Sequence, residues 1–325
     1  MTTFLELLLF FASLVVTLAA AGFFARRLDR VGLRLGLPET MLGLLTALAA
    51  DAPEVSSAIA ALVKGAHGVG VGVVLGSNVF NLAAMVGLSA VLCGGIRIRR
   101  EALAVEGAVG LAATLIAGAL VLELLGAWAA LGLLVAVLVP YLTLLALGPA
   151  RVPQPLTRFF GERHRPDHRL VHGEKVLVPA LTLLPALLII VAGSIGMVEA
   201  ALRLAHRWSV PDVIVGIVVL AVLTSLPNAF TAVRLALQGR GSALVSETLN
   251  SNTTNLVAGL SVPALFVALG STAAITQFDL GWLVLMTLVV IALLARRDGV
   301  GRSGGAAILA LYAVFVVVQI VSAST

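Results

Sequence analysis

The chain has 325 residues, of which 60% are hydrophobic and only 11% charged, with a mean hydropathy of +1.10 and a formal charge of +5. No soluble core of this length needs so much apolar surface, so the composition excludes a soluble globular protein and points to an integral membrane protein. The basic residues stand in short clusters between apolar runs, where they set topology and do not read nucleic acid, and the single cysteine, Cys93, excludes an intrachain disulfide and a cysteine-cluster metal site.

The first apolar span runs from Phe4 to Phe24 and ends in Arg26, Arg27, Asp29, Arg30 and Arg34. It lacks a basic leader and a small-residue cleavage site, so it is read as a helix and not as a signal peptide. Further apolar spans follow at 38–63, 69–92, 103–122, 126–147, 176–199, 212–237, 243–270, 279–295 and 304–322. At about 20 residues per crossing, the expectation is an all-α membrane protein of ten transmembrane helices. With the N-terminus outside, 18 of the 21 Lys and Arg fall on inward segments, and only Lys64, Arg203 and Arg207 fall on outward ones. That bias predicts an N-out, C-out placement. A plasma membrane of prokaryotic type is the expected location, as no organellar targeting segment is evident.

The second and third spans carry the first polar signal. Asp51-Ala52-Pro53-Glu54 and Gly76-Ser77-Asn78-Val79-Phe80-Asn81 interrupt sequence that is otherwise Ala, Val, Leu and Gly. A carboxylate at the centre of a membrane helix costs at least about 2.5–3.5 kcal/mol, so it faces a cavity, a partner or an ion. Asp51 and Glu54 are three apart and share a helix face. Pro53 removes an amide donor, which predicts a kink and free carbonyls one turn earlier.

Between the fifth and sixth spans lies the one long polar segment, Arg151 to Glu174. Its His164, His168 and His172 have a metal-ligand spacing, but Pro166 interrupts that helix and the neighbouring Arg and Asp residues read as a solvated cytoplasmic linker, with Phe159 and Phe160 as interfacial anchors. It divides the chain into residues 1–150 and 175–325, five spans each.

The two halves repeat. Adding 174 maps Pro53 to Pro227, Gly65 to Gly239, Ser77 to Ser251, Asn78 to Asn252 and Asn81 to Asn255 without a gap, so the stretch 43–85 recurs as 216–259. Five is odd, so the second half enters from the opposite side and the repeats are inverted, an arrangement common among transporters. Ser77 and Asn81, like Ser251 and Asn255, are four apart on their helices. With the carboxylates and freed carbonyls they compose an all-oxygen donor set, which suits Ca²⁺ or Na⁺ better than soft metals.

At these residues the sequence resembles the calcium/cation antiporter superfamily, the sodium/calcium exchangers and their relatives. That family's repeats read approximately G-T-S-x-P-E followed by G-S-N-x-x-N; here they stand as Ala50-Asp51-Ala52-Pro53-Glu54 with Gly76 to Asn81, and as Thr224-Ser225-Leu226-Pro227-Asn228 with Asn250 to Asn255. The resemblance implies an antiporter of small inorganic cations, Ca²⁺ against Na⁺ or H⁺, working in the lipid bilayer without a cofactor or an inferable protein partner. It implies that Glu54 is a principal cation ligand, that Ala50, Asp51, Thr224 and Ser225 line the site, and that Ser77, Asn81, Ser251 and Asn255 flank it. Three departures from the pattern bear on the central charges. Asn228 stands where the family usually has a second Glu, Asp51 replaces a Ser, and Ala50 replaces a Thr. One carboxylate has in effect crossed the pseudo-twofold, and close carboxylates take up either a cation or a proton between them.

Other polar residues carry blander expectations. Glu247 either extends the Ser251 and Asn255 stripe towards the cytoplasmic mouth or pairs with Arg240 or Arg234. Glu101 and Glu106 are expected to pair with Arg97 to Arg100, and Lys64, His67, Glu123, Glu199, Asp212 and Asp279 to reach water near helix ends. Alternatives to transport are a cation sensor that lost flux with the Glu at 228, an intramembrane enzyme, and a purely structural Asp51/Glu54 pair. The Asp-rich loops or Ser/His pair that an enzyme would need are not evident.

Overall fold

A computed structural model describes residues 2–35, 47–98, 100–147, 181–269 and 274–324. The helices of twelve residues or more among the described residues are α1 (Thr3–Arg34), α2 (Ala52–Val63), α3 (His67–Asn81), α4 (Arg100–Val121), α5 (Ala127–Leu147), α6 (Leu183–Trp208), α7 (Leu226–Leu237), α8 (Gly241–Leu256), α9 (Ala274–Leu294) and α10 (Arg302–Ser324), with shorter helical turns at 82–93, 212–224 and 257–265. Two-residue strands β1 (Gly95–Ile96) and β2 (Val300–Gly301) pair antiparallel and tie the turn before α4 to the turn before α10. Among the described residues, seven helices are long and apolar enough to cross a membrane, and an eighth if a bent pair at 215–237 counts as one span. The chain is thus a multi-pass membrane protein.

Several spans differ from expectation in physically readable ways. α1 runs on to Arg34 and α6 to Trp208, because the basic residues after each apolar run continue the helix and hold their charges at its end. The expected second span is described only from residue 47, and the linker histidines lie outside the described residues. α8 holds Ser, Glu, Thr and Asn along most of its length, so it does not register as an apolar span.

Burial orders the helices into a centre and a rim. In the stretch His67–Cys93, which contains α3, 94% of an 18-residue apolar window is buried, whereas in Ala127–Leu145 of α5 only 17% of such a window is. α3 packs against α2, α8 and residues 215–220, while α1 packs along α6. The rim turns Phe4, Phe11, Trp128 and Val317 outward, as a surface in contact with lipid does.

The close centre depends on glycine. A side chain at Gly76 would meet the Ile217 main chain, and one at Gly216 the Val69 main chain, so α3 and residues 215–220 approach backbone to backbone. Gly65 and Gly239 do different work. They take φ of +78° and +70° in the tight turns after α2 and α7, a region where glycine carries no steric penalty.

Candidate cation site

Both polar breaks come from the same local code. Asp51 and Ser225 sit just before α2 and α7 with φ, ψ of −77°, −11° and −83°, −3°. Pro53 and Pro227 then occupy the first turn, where a missing N–H leaves no gap in the helix ladder. The second break bends the chain by 47° between Val215–Thr224 and α7. Neither Asp51 nor Ser225 uses its side chain to cap the helix that follows. Each points into the protein instead.

What they meet comes from the other half of the chain. The Ser251 hydroxyl and Asn228 Nδ2 both donate to Asp51 Oδ1, the latter at 2.9 Å. The Ser225 hydroxyl donates to Glu54 Oε1, and Asn255 Nδ2 to Glu54 Oε2 at 2.8 Å. Asn228 Nδ2 also lies 3.3 and 3.4 Å from the two Glu54 oxygens and 3.3 Å from Ser251 Oγ. One amide therefore bridges both carboxylates, at the position where the sequence pattern leads one to expect a second Glu. Asp51, Glu54, Ser225, Asn228 and Ser251 are completely buried, and Asn255 is 1% exposed.

The donors do not exhaust the acceptors. Asp51 Oδ2, Asn81 Oδ1, Asn228 Oδ1 and Asn255 Oδ1 are buried without a hydrogen-bond partner, and each such group costs about 1–3 kcal/mol. All four are oxygens. Among the described residues no three of His, Cys, Asp and Glu converge as a metal centre, so the donor set is two carboxylates and neutral hydroxyl and amide oxygens. That is hard-cation chemistry.

Six of the ten expected residues form this one cluster: Asp51, Glu54, Ser225, Asn228, Ser251 and Asn255. The other four make no hydrogen bond to the carboxylates. Asn81 donates to Asn252 Oδ1 at 3.3 Å, Thr224 turns back to the Leu220 carbonyl at 2.8 Å, and Ser77 reaches the Ala221 carbonyl at 3.5 Å. Ala50 is buried and brings no polar side chain. The asymmetry has a cause. Both acids hang from the α2 side, so the facing hydroxyls and amides of α7 and α8 reach them, while Ser77 and Asn81 on α3 find other partners. Asn78 and Asn252 belong to the same network; their recurrence in register was the available signal for them.

Two expectations about lone acids need correction. Glu106 makes no ion pair with Arg97 or Arg100; one turn and more into α4, it accepts a hydrogen bond from Ser246 Oγ at 2.6 Å. Asp279 does not reach water. It is 2% exposed and accepts from Gln319 Nε2, because α9 begins before it and buries it against α10. By contrast, Glu199, partly exposed within α6, joins Arg203 at 2.9 Å and Lys64 at 3.8 Å.

A family model described as sodium/calcium exchanger protein matches residues 5–161 and 178–321. The chain is similar to the human sodium/potassium/calcium exchanger 4, with 33% identity over 144 residues, which are 42% of this chain and 23% of that protein. It is also similar to the sodium/calcium exchanger MaX1 of Methanosarcina acetivorans, with 29% identity over 129 residues, 40% of this chain and 37% of that one. The chain thus spans well under half the length of either relative. Among solved structures, its fold is similar to that of the sodium-calcium exchanger NCX_Mj, at 20% identity and a TM-score of 0.65 over 97% of this chain and 99% of that one. The fold of native YfkE is likewise similar, at 18% identity and a TM-score of 0.66 over 95% and 90%.

Proposed function

The chain belongs to the sodium/calcium exchanger protein family, and from that premise we propose that it is a secondary active antiporter that exchanges Ca²⁺ against Na⁺ or H⁺ by alternating access. The observation that carries this reading is the set of three buried oxygens without donors in the cluster, Asp51 Oδ2, Asn228 Oδ1 and Asn255 Oδ1, beside the other Asp51 oxygen and the Glu54 carboxylate. A cation among them would satisfy acceptors that the protein leaves bare. The remaining parts of the proposal are ten spans in two inverted halves, residues 1–150 and 175–325, joined by a cytoplasmic linker at 151–174, with both termini outside a plasma or inner membrane.

The geometry suggests how binding and exchange work. Ser225, Ser251 and the Asn228 amide donate to the carboxylates and take the place of positive charge. When a cation enters, the hydroxyls turn their protons away and the Asn228 amide rotates to present Oδ1. Ca²⁺ and the counter-ion then compete for the same two carboxylates, and competition couples their opposite movements. Because the cluster is buried, each exchange requires the packing around α2, α7 and α8 to open on one face at a time.

Asn228 also favours a second reading, a cation sensor without flux, because its amide tethers both acids where a mobile carboxylate is expected. Uptake of ⁴⁵Ca²⁺ into proteoliposomes, driven by a Na⁺ or pH gradient, separates the two. The antiporter moves Ca²⁺ and Glu54→Gln abolishes the movement; a sensor binds Ca²⁺ in titration calorimetry but moves none. Undiminished uptake by Glu54→Gln would remove the site assignment.

A further inference from the structure

Among the acids outside the cluster described above, Glu247 stands on its approach. Glu247 lies on α8, one turn before Ser251, the residue whose hydroxyl donates to Asp51. Its Oε2 is buried and has no hydrogen-bond partner. The charged groups whose fields reach it are Asp51, which Ser251 meets one turn further along α8, and Arg240, at the start of α8 in the turn that Gly239 makes. A carboxylate so placed inside a membrane protein is unfavourable unless something uses it.

The fold itself does not require it. The position 174 residues earlier is Val73, completely buried on α3, so the corresponding place in the first half accepts an apolar side chain. The difference extends along the whole approach. Ser246, Glu247 and Asn250 of α8 stand where α3 has Gly72, Val73 and Gly76. Ser246 and Asn250 are held from the rim side, by Glu106 at 2.6 Å and the Tyr141 hydroxyl at 2.8 Å. Those bonds fix α8 with Glu247 on the turn that leads to Asp51.

We propose that Glu247 is a transient cation-binding station between the Arg240 face of the protein and Asp51, so that of the two matching helices α3 and α8 only α8 carries a carboxylate on its approach to the site. The proposal rests on the antiport reading above. A hydrated cation entering from that face meets Glu247 first, loses part of its water to Oε2, and passes one helical turn to Asp51. Arg240 at the entrance opposes accumulation of cations there and sets the apparent affinity from that side. Helix α3 itself carries no acid that could act as such a stop.

The test is side-resolved. Right-side-out and inside-out vesicles carrying the full chain present opposite faces, and ⁴⁵Ca²⁺ uptake against a Na⁺ or proton gradient gives a half-saturating concentration for each. Glu247→Gln should raise that concentration about tenfold from the Arg240 face and by about twofold or less from the other, as expected for loss of a focusing charge on the entry path. Arg240→Gln should lower it from the Arg240 face alone, and Glu247→Asp should restore most of the wild-type value. Equal shifts on both faces, or none on either, would overturn the station. Absence of flux in the wild type would instead overturn the antiport reading, and the station with it.

Discussion

Asn78 and Asn252, 174 residues apart, exchange hydrogen bonds: Asn78 Nδ2 donates to the Asn252 carbonyl at 3.1 Å, and Asn252 Nδ2 to the Asn78 carbonyl at 3.0 Å. Their side-chain oxygens are also occupied, since Asn78 Oδ1 accepts from Asn255 at 3.2 Å and Asn252 Oδ1 from Asn81 at 3.3 Å. This clasp fastens α3 to α8 and aims the Asn255 amide at Glu54.

Asn78→Ala or Asn252→Ala should each cost about 1–2 kcal/mol, because each leaves a buried amide or carbonyl short of a partner. The two variants differ in what they do to the site. Asn78→Ala frees the Asn255 amide and should also weaken Ca²⁺ binding, whereas Asn252→Ala frees Asn81 and should act on stability alone. Thermal unfolding in detergent with and without Ca²⁺ reads both effects; equal Ca²⁺ shifts for the two variants would contradict the assignment.

The crossing of α3 with residues 215–220 should tolerate no added carbon. A Cβ at Gly76 would lie 2.8 Å from Ile217 Cα and 2.9 Å from Ala221 Cβ, and one at Gly216 would lie 2.9 Å from Val69 Cα. Gly76→Ala should therefore cost about 1–3 kcal/mol by forcing the segments apart, and it moves Ser77 and Asn78 with it. Gly65→Ala meets open space but must hold φ near +78°, so its cost should be about 1 kcal/mol and confined to the turn. Unfolding temperatures and Ca²⁺ affinity, measured on both variants, distinguish a lost approach from a strained turn.

Much of this arrangement is legible in the sequence, for a reason specific to membranes. In an apolar chain every polar residue is conspicuous, so Asp51, Glu54, Asn228, Ser251 and Asn255 stand out, and the offset of 174 pairs Pro53 with Pro227 and Gly65 with Gly239 before any coordinates are known. Direction is less legible. The pattern treats Ser77 and Ser251 as equivalents, yet one bonds the Ala221 carbonyl and the other Asp51, because the acids stand on one side only. Burial near helix ends is hidden for a related reason. Hydropathy places Asp279 at the edge of a span, but helix α9 begins at Ala274 and carries it inward to Gln319.

That buried pair supplies a stability test. Asp279 and Gln319 lie beside Phe278, Trp282 and Phe315, whose rings stack with centroids 5.3–6.3 Å apart. Gln319→Leu leaves the Asp279 carboxyl without its donor and should cost about 2–3 kcal/mol. Adding Asp279→Leu removes the orphaned group and should recover most of the loss. A double variant no more stable than Gln319→Leu would show that the bond is not what holds α9 to α10.

The exchange of Asp51 for a carboxylate at 228 is the sharpest test of the site. Asn228 Nδ2 lies 2.9 Å from Asp51 and 3.3 Å from Glu54, so an acid at 228 would still face Glu54 across the cluster. Asp51→Ser leaves one carboxylate and should weaken Ca²⁺ binding by on the order of tenfold to a hundredfold, since affinity in oxygen-lined sites follows the number of charged ligands. Asn228→Glu alone brings three carboxylates together, which repel one another unless a cation lies between them; its unfolding temperature should fall in chelator and rise steeply with Ca²⁺. Combining Asp51→Ser with Asn228→Glu restores two acids, now on opposite helices, and calorimetric affinity should return to within about threefold of the wild type, again because the charge count is restored. If the double variant binds no better than Asp51→Ser, then the acid at 51 is not standing in for one at 228, and the bridging amide of Asn228 has a role that a carboxylate cannot take over.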